Sequence, residues 1–183
     1  GDASRGFKIV ASHTDSPALK LKSSPALSDE NATRLNVEPY GGGIYYSYFD
    51  RPLKLAGRLI REEEGELVST SYVSDFFVSL PSVAIHLNRE VNKAFVPDQQ
   101  ADQPLLSLGA AQFDLVTKEA TAFDLYAVCA EKPFVWGLNS EFLSAPRIDN
   151  LASVYASLST LAEDGTGTCI AACLDSEEVG SLS

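Results

Sequence analysis

The 183-residue sequence predicts an α/β fold interrupted by a β-rich insertion. Three observations carry that expectation: a short strand near the start, an apolar-faced helix with an apolar strand near the end, and a middle of different texture. Phe7 to Ser12 (FKIVAS) is a β-branched run closed by His13-Thr14-Asp15-Ser16-Pro17, a turn signal. After Pro146, the residues Ile148, Leu151, Val154, Tyr155, Leu158, Leu161 and Ala162 share one helical face, and Gly165 and Gly167 stop the helix. Thr168 to Leu174 (TCIAACL) is continuously apolar, the pattern of a strand buried on both faces. Strand, helix and buried strand are the vocabulary of an α/β sheet.

The stretch 25–130 reads differently. Leu53-Lys54-Leu55 and Leu67 to Val73 suggest short strands, with Glu62-Glu63-Glu64-Gly65 turning between neighbours. Gly41-Gly42-Gly43 reads as a loop entering an aromatic strand at Ile44-Tyr45-Tyr46. No Gly-Lys-Ser/Thr follows those glycines, so they are not a phosphate cradle. The expected organisation is a first catalytic segment at 1–24, an insertion at 25–130 and a second catalytic segment at 131–183.

Composition bounds the partners. Fourteen Lys and Arg against 25 Asp and Glu leave a formal charge of −11, which argues against a binder of the nucleic-acid backbone. No apolar run approaches the ~18–20 residues of a membrane span, and the first ten residues lack the layout of a signal peptide. Cys129, Cys169 and Cys173 are an odd set without framework spacing, and Cys169 and Cys173 read as buried free thiols in a reducing cytoplasm. There is no methionine, and the chain reads as a piece of something longer.

In an open parallel sheet, ligands bind beyond the carboxyl ends of the strands. His13 and Asp15 follow the first strand, and Asp175, Glu177 and Glu178 follow the last. The crossover helix runs antiparallel to the strands, so Asp149 at its start lies on the same rim. One histidine and several acids thus gather there if the first and last strands are parallel. Close carboxylates raise one another's pKa unless a cation sits among them. Arg147 or a metal could supply it, and an imidazole–carboxylate set suits Zn²⁺, or Mn²⁺ or Co²⁺, better than Ca²⁺. Taken singly, Asp149 reads as a helix cap, Glu177-Glu178 as a solvated turn and His13 as structural. A serine triad is disfavoured because Ser12, His13 and Asp15 are near-adjacent and no G-x-S-x-G elbow occurs. A two-carboxylate glycosidase leaves His13 without a role.

These residues also carry a resemblance. Ala11-Ser12-His13-Thr14-Asp15-Ser16-Pro17, Ser144 to Leu151 and Asp175-Ser176-Glu177-Glu178-Val179-Gly180-Ser181 resemble the signatures of the aspartyl aminopeptidase family, cytosolic di-zinc aminopeptidases. Gly41 through Leu53 and Ala84-Ile85-His86-Leu87-Asn88-Arg89 resemble that family's inserted dimerisation domain. The resemblance implies a zinc-peptidase-like α/β catalytic domain interrupted by a β-rich dimerisation domain. It implies two divalent ions, Zn²⁺ first, with His13 on one, Asp149 bridging both and Glu178 on the second. Asp15 would orient His13, and Glu177 would be the general base that takes a proton from the attacking water. His86 would reach a neighbouring subunit's active site; without the resemblance it reads as a surface histidine. Peptides with N-terminal Asp or Glu are the implied substrates, and homodimers assembling to a dodecamer the implied state, with no nucleic-acid or membrane partner.

The family completes its metal site with a further aspartate and histidine well beyond the Glu-Glu pair, whereas this sequence ends at Ser183 and holds only one other histidine, His86. The expectation is that these 183 residues alone are not an active peptidase. The rival reading is a catalytically silent oligomerisation module.

Overall fold

Leucines at alternate positions of successive short runs give the middle of the chain one oily and one polar face per strand, which is what a sheet covered on one side requires. The computed structural model describes residues 6–28, 33–87, 89–90, 92–93, 105–107, 120–163 and 167–180. Gly165 lies outside the described residues, as do Asn88 and Ser181 of the quoted motifs. The chain divides into two compact units, one of Gly1–Pro17 with Lys132–Ser183 and one of Ala18–Glu131. The second is therefore inserted into the first.

The inserted unit is a six-stranded sheet. Its strands are β2 (Ala18–Ser28), β3 (Thr33–Tyr40), β4 (Leu53–Glu63), β5 (Glu66–Val73), β6 (Leu105–Ser107) and β7 (Ala122–Cys129), in the order β5-β4-β7-β2-β3-β6. All its ladders are antiparallel. β2 runs unbroken from Ala18, so residues 18–24 belong to this sheet rather than to the first catalytic segment expected at 1–24. Leu19, Leu21, Leu35, Val37, Leu53, Leu55, Leu59, Leu125 and Ala127 all point to one face and form the core with Val78 and Leu80. Glu64 and Gly65, both at positive φ, make the tight β4–β5 turn that the acidic run announced.

Residues 44–46 do not form the expected strand. Tyr45–Tyr48 is a 3-10 turn, closed by the Ser47 amide (3.0 Å) and hydroxyl (2.6 Å), both donating to the Ile44 carbonyl. Tyr45, Tyr48 and Phe49 then pack on the leucine core, a use of aromatic residues that strand periodicity does not reveal. Ser74 is also buried; its hydroxyl accepts from the Leu55 amide (3.0 Å) and donates to the Phe76 carbonyl (2.7 Å).

The other unit pairs the two ends of the chain. β1 (Phe7–His13) and β10 (Thr168–Leu174) are parallel, in register from Phe7 opposite Thr168 to His13 opposite Leu174. The helix α1 (Ile148–Glu163) packs on both strands. Ser12 and Ser157, both buried, meet across that contact with 3.4 Å between their hydroxyls, and the Ser157 hydroxyl donates to the Val154 carbonyl. A hairpin of β8 (Phe134–Trp136) and β9 (Phe142–Ser144) precedes the helix, with Trp136 stacked on Phe142.

The expectation that Thr168–Leu174 is buried on both faces fails. Ile170 and Leu174 are exposed, as are Phe7, Ile9 and Val10 on β1. Among the described residues β10 has only β1 as a ladder neighbour and one helix as cover, so part of the apolar run is exposed. Cys173 is exposed for the same reason, not buried as the sequence suggested; Cys169 is half-buried, and all three cysteines are free thiols.

Candidate metal centre

A parallel strand pair delivers its loops to one edge. Because β1 and β10 are parallel and in register, the residues after His13 and after Leu174 leave the sheet side by side. Thr14 joins the two exits: its amide (2.8 Å) and its hydroxyl (3.0 Å) both donate to the Leu174 carbonyl. α1 begins at the same edge, with Asp149 in its first turn. The condition set by the sequence, that the first and last strands be parallel, is met.

The imidazole of His13 lies at the centre, 13% exposed. Its Nδ1 faces Asp15, 3.1 Å from the backbone carbonyl and 3.2 Å from the Oδ1 of a carboxylate that is only 6% exposed. Both partners are acceptors, so Nδ1 carries the proton in the neutral ring and Nε2 presents a lone pair. Nε2 points between two carboxylates, 3.6 Å from Glu177 Oε2 and 3.7 Å from Asp149 Oδ1. The other oxygen of Asp15, Oδ2, accepts the Glu178 amide at 3.0 Å. One carboxylate therefore ties the end of β1 to the loop after β10. Sequence reasoning found Asp15 as the partner of His13 but not its second bond, because a backbone donor leaves no residue-type signature.

The electrostatics are those of a site short of positive charge. Burial lowers the His13 pKa, but the Asp15 carbonyl, the charge of Glu177 and the Asp15 carboxylate outweigh it, and the net shift is upward. Burial raises the Glu178 pKa; the neighbouring Glu177, Asp149 and Asp15 add to the rise, and His13 opposes it. A divalent cation held among these groups would oppose both shifts.

The donor geometry fits such a cation. His13, Glu177 and Glu178 each offer a ligand atom, and these atoms all lie within 4.8 Å of one another. Asp149, with its side chain 88% exposed, flanks the group through its approach to His13 Nε2. One imidazole with several carboxylates is the donor chemistry of Zn²⁺ and its neighbours. Of the other expected site residues, His86 lies in the inserted unit, exposed in a turn that the Leu87 amide closes on the Ala84 carbonyl at 2.8 Å.

Fold and site together define an α/β unit whose parallel-strand edge carries an imidazole–carboxylate cluster able to hold a metal ion. The chain belongs to the Aminopeptidase I zinc metalloprotease (M18) family, which it matches over residues 2–112 and 98–183. It is 34% identical over 200 residues to a probable M18 family aminopeptidase 2 of Clostridium acetobutylicum, covering 98% of this chain and 46% of that protein. A chain in the cryo-EM structure of the Ape4 and Nbr1 complex superposes with a TM-score of 0.83 at 29% identity, over 97% of this chain and 42% of that one. The S. cerevisiae mApe1 dodecamer superposes with a TM-score of 0.74 at 25% identity, over 99% and 46%. The chain thus spans about half the length of the curated relatives it matches. Among the described residues no helix is long and apolar enough to cross a membrane.

Proposed function

We propose that this chain supplies part of the active centre of a metal-dependent aminopeptidase that removes the N-terminal residue, Asp or Glu, from peptides. The observation that carries the reading is the convergence of His13, Glu177 and Glu178 within 4.8 Å at the open edge of the parallel β1–β10 pair. His13, Asp149 and Glu178 are the residues that would hold two divalent ions, Zn²⁺ by donor chemistry. Bound there, the metal supplies Lewis-acid polarisation of the scissile carbonyl.

The protein's own groups do the rest. Asp15 holds Nδ1 of His13, so the ring meets its ligand through Nε2. Glu178 is half-buried and fixed by its amide, as a ligand should be, whereas Glu177 is 62% exposed and open to water. That difference supports Glu177 as general base. It takes a proton from the water attacking the first peptide carbonyl and returns it to the departing amine as the C–N bond breaks. His86 is assigned to the substrate site of a neighbouring subunit, and the inserted unit to dimerisation within a dodecamer, in a cytoplasmic setting.

The test uses the gene product that carries this chain. Glu177→Gln should abolish release of N-terminal Asp and Glu while zinc content stays near that of the parent, and His13→Ala should lower the zinc content. Equal metal loss from both substitutions would overturn the division between base and ligand. The alternative, that these 183 residues alone act as a silent oligomerisation module, predicts that the isolated chain self-associates in light scattering and hydrolyses nothing.

A further inference from the structure

We infer that Ser16 is a positioning residue for Asp149, through the bond its hydroxyl donates to the Asp149 carbonyl at 3.2 Å. The inference rests on the metal-centre reading proposed above. Asp149 is the least supported of the residues in that centre. Its side chain is 88% exposed, and among the described residues its ion-pair neighbour is His13 Nε2 at 3.7 Å. Its backbone is non-helical, at φ −82 and ψ 115, and so is that of Asn150, so the helix ladder does not set its orientation. The Leu151 amide reaches back out of the helix to the Arg147 carbonyl in a long 3.4 Å bond, and Arg147 itself stands at φ 60. The Ser16 hydroxyl is thus the side-chain hydrogen bond that fastens this turn to the strand side of the site.

Ser16 also completes a pattern. Three consecutive residues after His13 each fasten a different part of the rim: Thr14 holds the Leu174 carbonyl, Asp15 the Glu178 amide and Ser16 the Asp149 carbonyl. The first two ties set the loop after β10, and only the third reaches the helix start. A carboxylate that must meet a cation jointly with His13 gains affinity when its backbone is already in place, because less ordering remains to be done on binding.

The experiment measures Zn²⁺ affinity of the metal-free gene product carrying this chain, by competition with a chromophoric chelator. Ser16→Ala should weaken binding by about tenfold, as loss of an outer-sphere partner does. Ser16→Thr keeps the hydroxyl and should restore most of the affinity. In the Asp149→Asn background, Ser16→Ala should cost nothing further, which a general loss of stability would not reproduce. Unchanged affinity in Ser16→Ala, or losses from Ser16→Ala and Asp149→Asn that simply add, would overturn the inference. His13→Ala serves as the separate check: if it retains full Zn²⁺ affinity, the metal-centre reading itself fails, whatever Ser16 does.

Discussion

Gly57 offers the sharpest stability test, because the obstacle to a side chain there is backbone. It sits in β4 at φ +153, opposite Leu125 of β7. A Cβ at this position would lie 2.0 Å from the Asp124 carbonyl oxygen, 3.0 Å from its carbon and 3.1 Å from the Leu125 Cα. No side chain can swing aside to relieve that contact, so the β4–β7 ladder must part or bend. Overpacking of a filled site costs about 1–3 kcal/mol. Holding an L-residue in a sparsely populated backbone region adds about 1–3 kcal/mol more. Gly57→Ala should therefore lose about 2–6 kcal/mol, a large share of the ~5–15 kcal/mol that holds a domain together. With each kcal/mol moving Tm by about 4 °C in a unit of this size, the midpoint should fall by at least about 8 °C. Far-UV circular dichroism of the 183-residue chain reads this directly. A fall of less than about 4 °C would show that the ladder absorbs the methyl group and that the steric reasoning is wrong.

Two further outcomes are expected. Asp15→Asn removes the carboxylate charge that helps raise the His13 pKa and leaves Nδ1 only a neutral acceptor, while burial still lowers it. His13 should then titrate at lower pH than in the parent, seen by proton NMR of the metal-free chain, where His86 is the only other imidazole; an unchanged or higher value would show that Asp15 does not hold the ring. Asp50 accepts the Ser82 amide (2.9 Å) and hydroxyl (2.6 Å), and these bonds lower its pKa from 3.8 against the opposing effect of burial. A lowered carboxylate pKa stabilises the fold above the unfolded-state value and ceases to do so as pH falls through the folded-state value. The stability advantage of the parent over Asp50→Asn should hold steady at neutral pH and shrink as pH drops below 3.8. Asn tolerates the φ of 59 at this position, so the turn is kept while the charge and one acceptor are removed, and a difference independent of pH would sink the assignment.

Much of this architecture is legible in residue order because strands and turns are local. The β-branched run at Phe7 and the apolar run from Thr168 define β1 and β10, and Glu64-Gly65 marks its hairpin without help from tertiary structure. The rim residues His13, Asp15, Asp149, Glu177 and Glu178 follow from one topological rule once β1 and β10 are parallel. What escaped is non-local. Apolar content alone made β10 a strand covered on both sides, but cover depends on neighbours that periodicity does not name. Tyr45 and Tyr48 carry strand propensity yet close a 3-10 turn, because the leucine core needs a lid there. The ties from Asp15 to the Glu178 amide and from Ser16 to the Asp149 carbonyl end on backbone atoms, which every residue possesses. Gly57 likewise looks like any strand glycine until the opposite carbonyl is located.

The pairing of β1 with β10 also dictates an order of events during synthesis. Phe7 must wait for Thr168, and at ~5–20 residues per second that interval is on the order of 10–30 s. The inserted sheet needs nothing from either end and can form in the meantime. Its own first and last strands, β2 and β7, are ladder neighbours, with Leu19 opposite Ala127, so folding the insertion brings its entry and exit points together. A long and entropically costly loop closure is thereby shortened before β10 is made. His13 and Glu178 are translated 165 residues apart, and the insertion can be folded before the second of them is made.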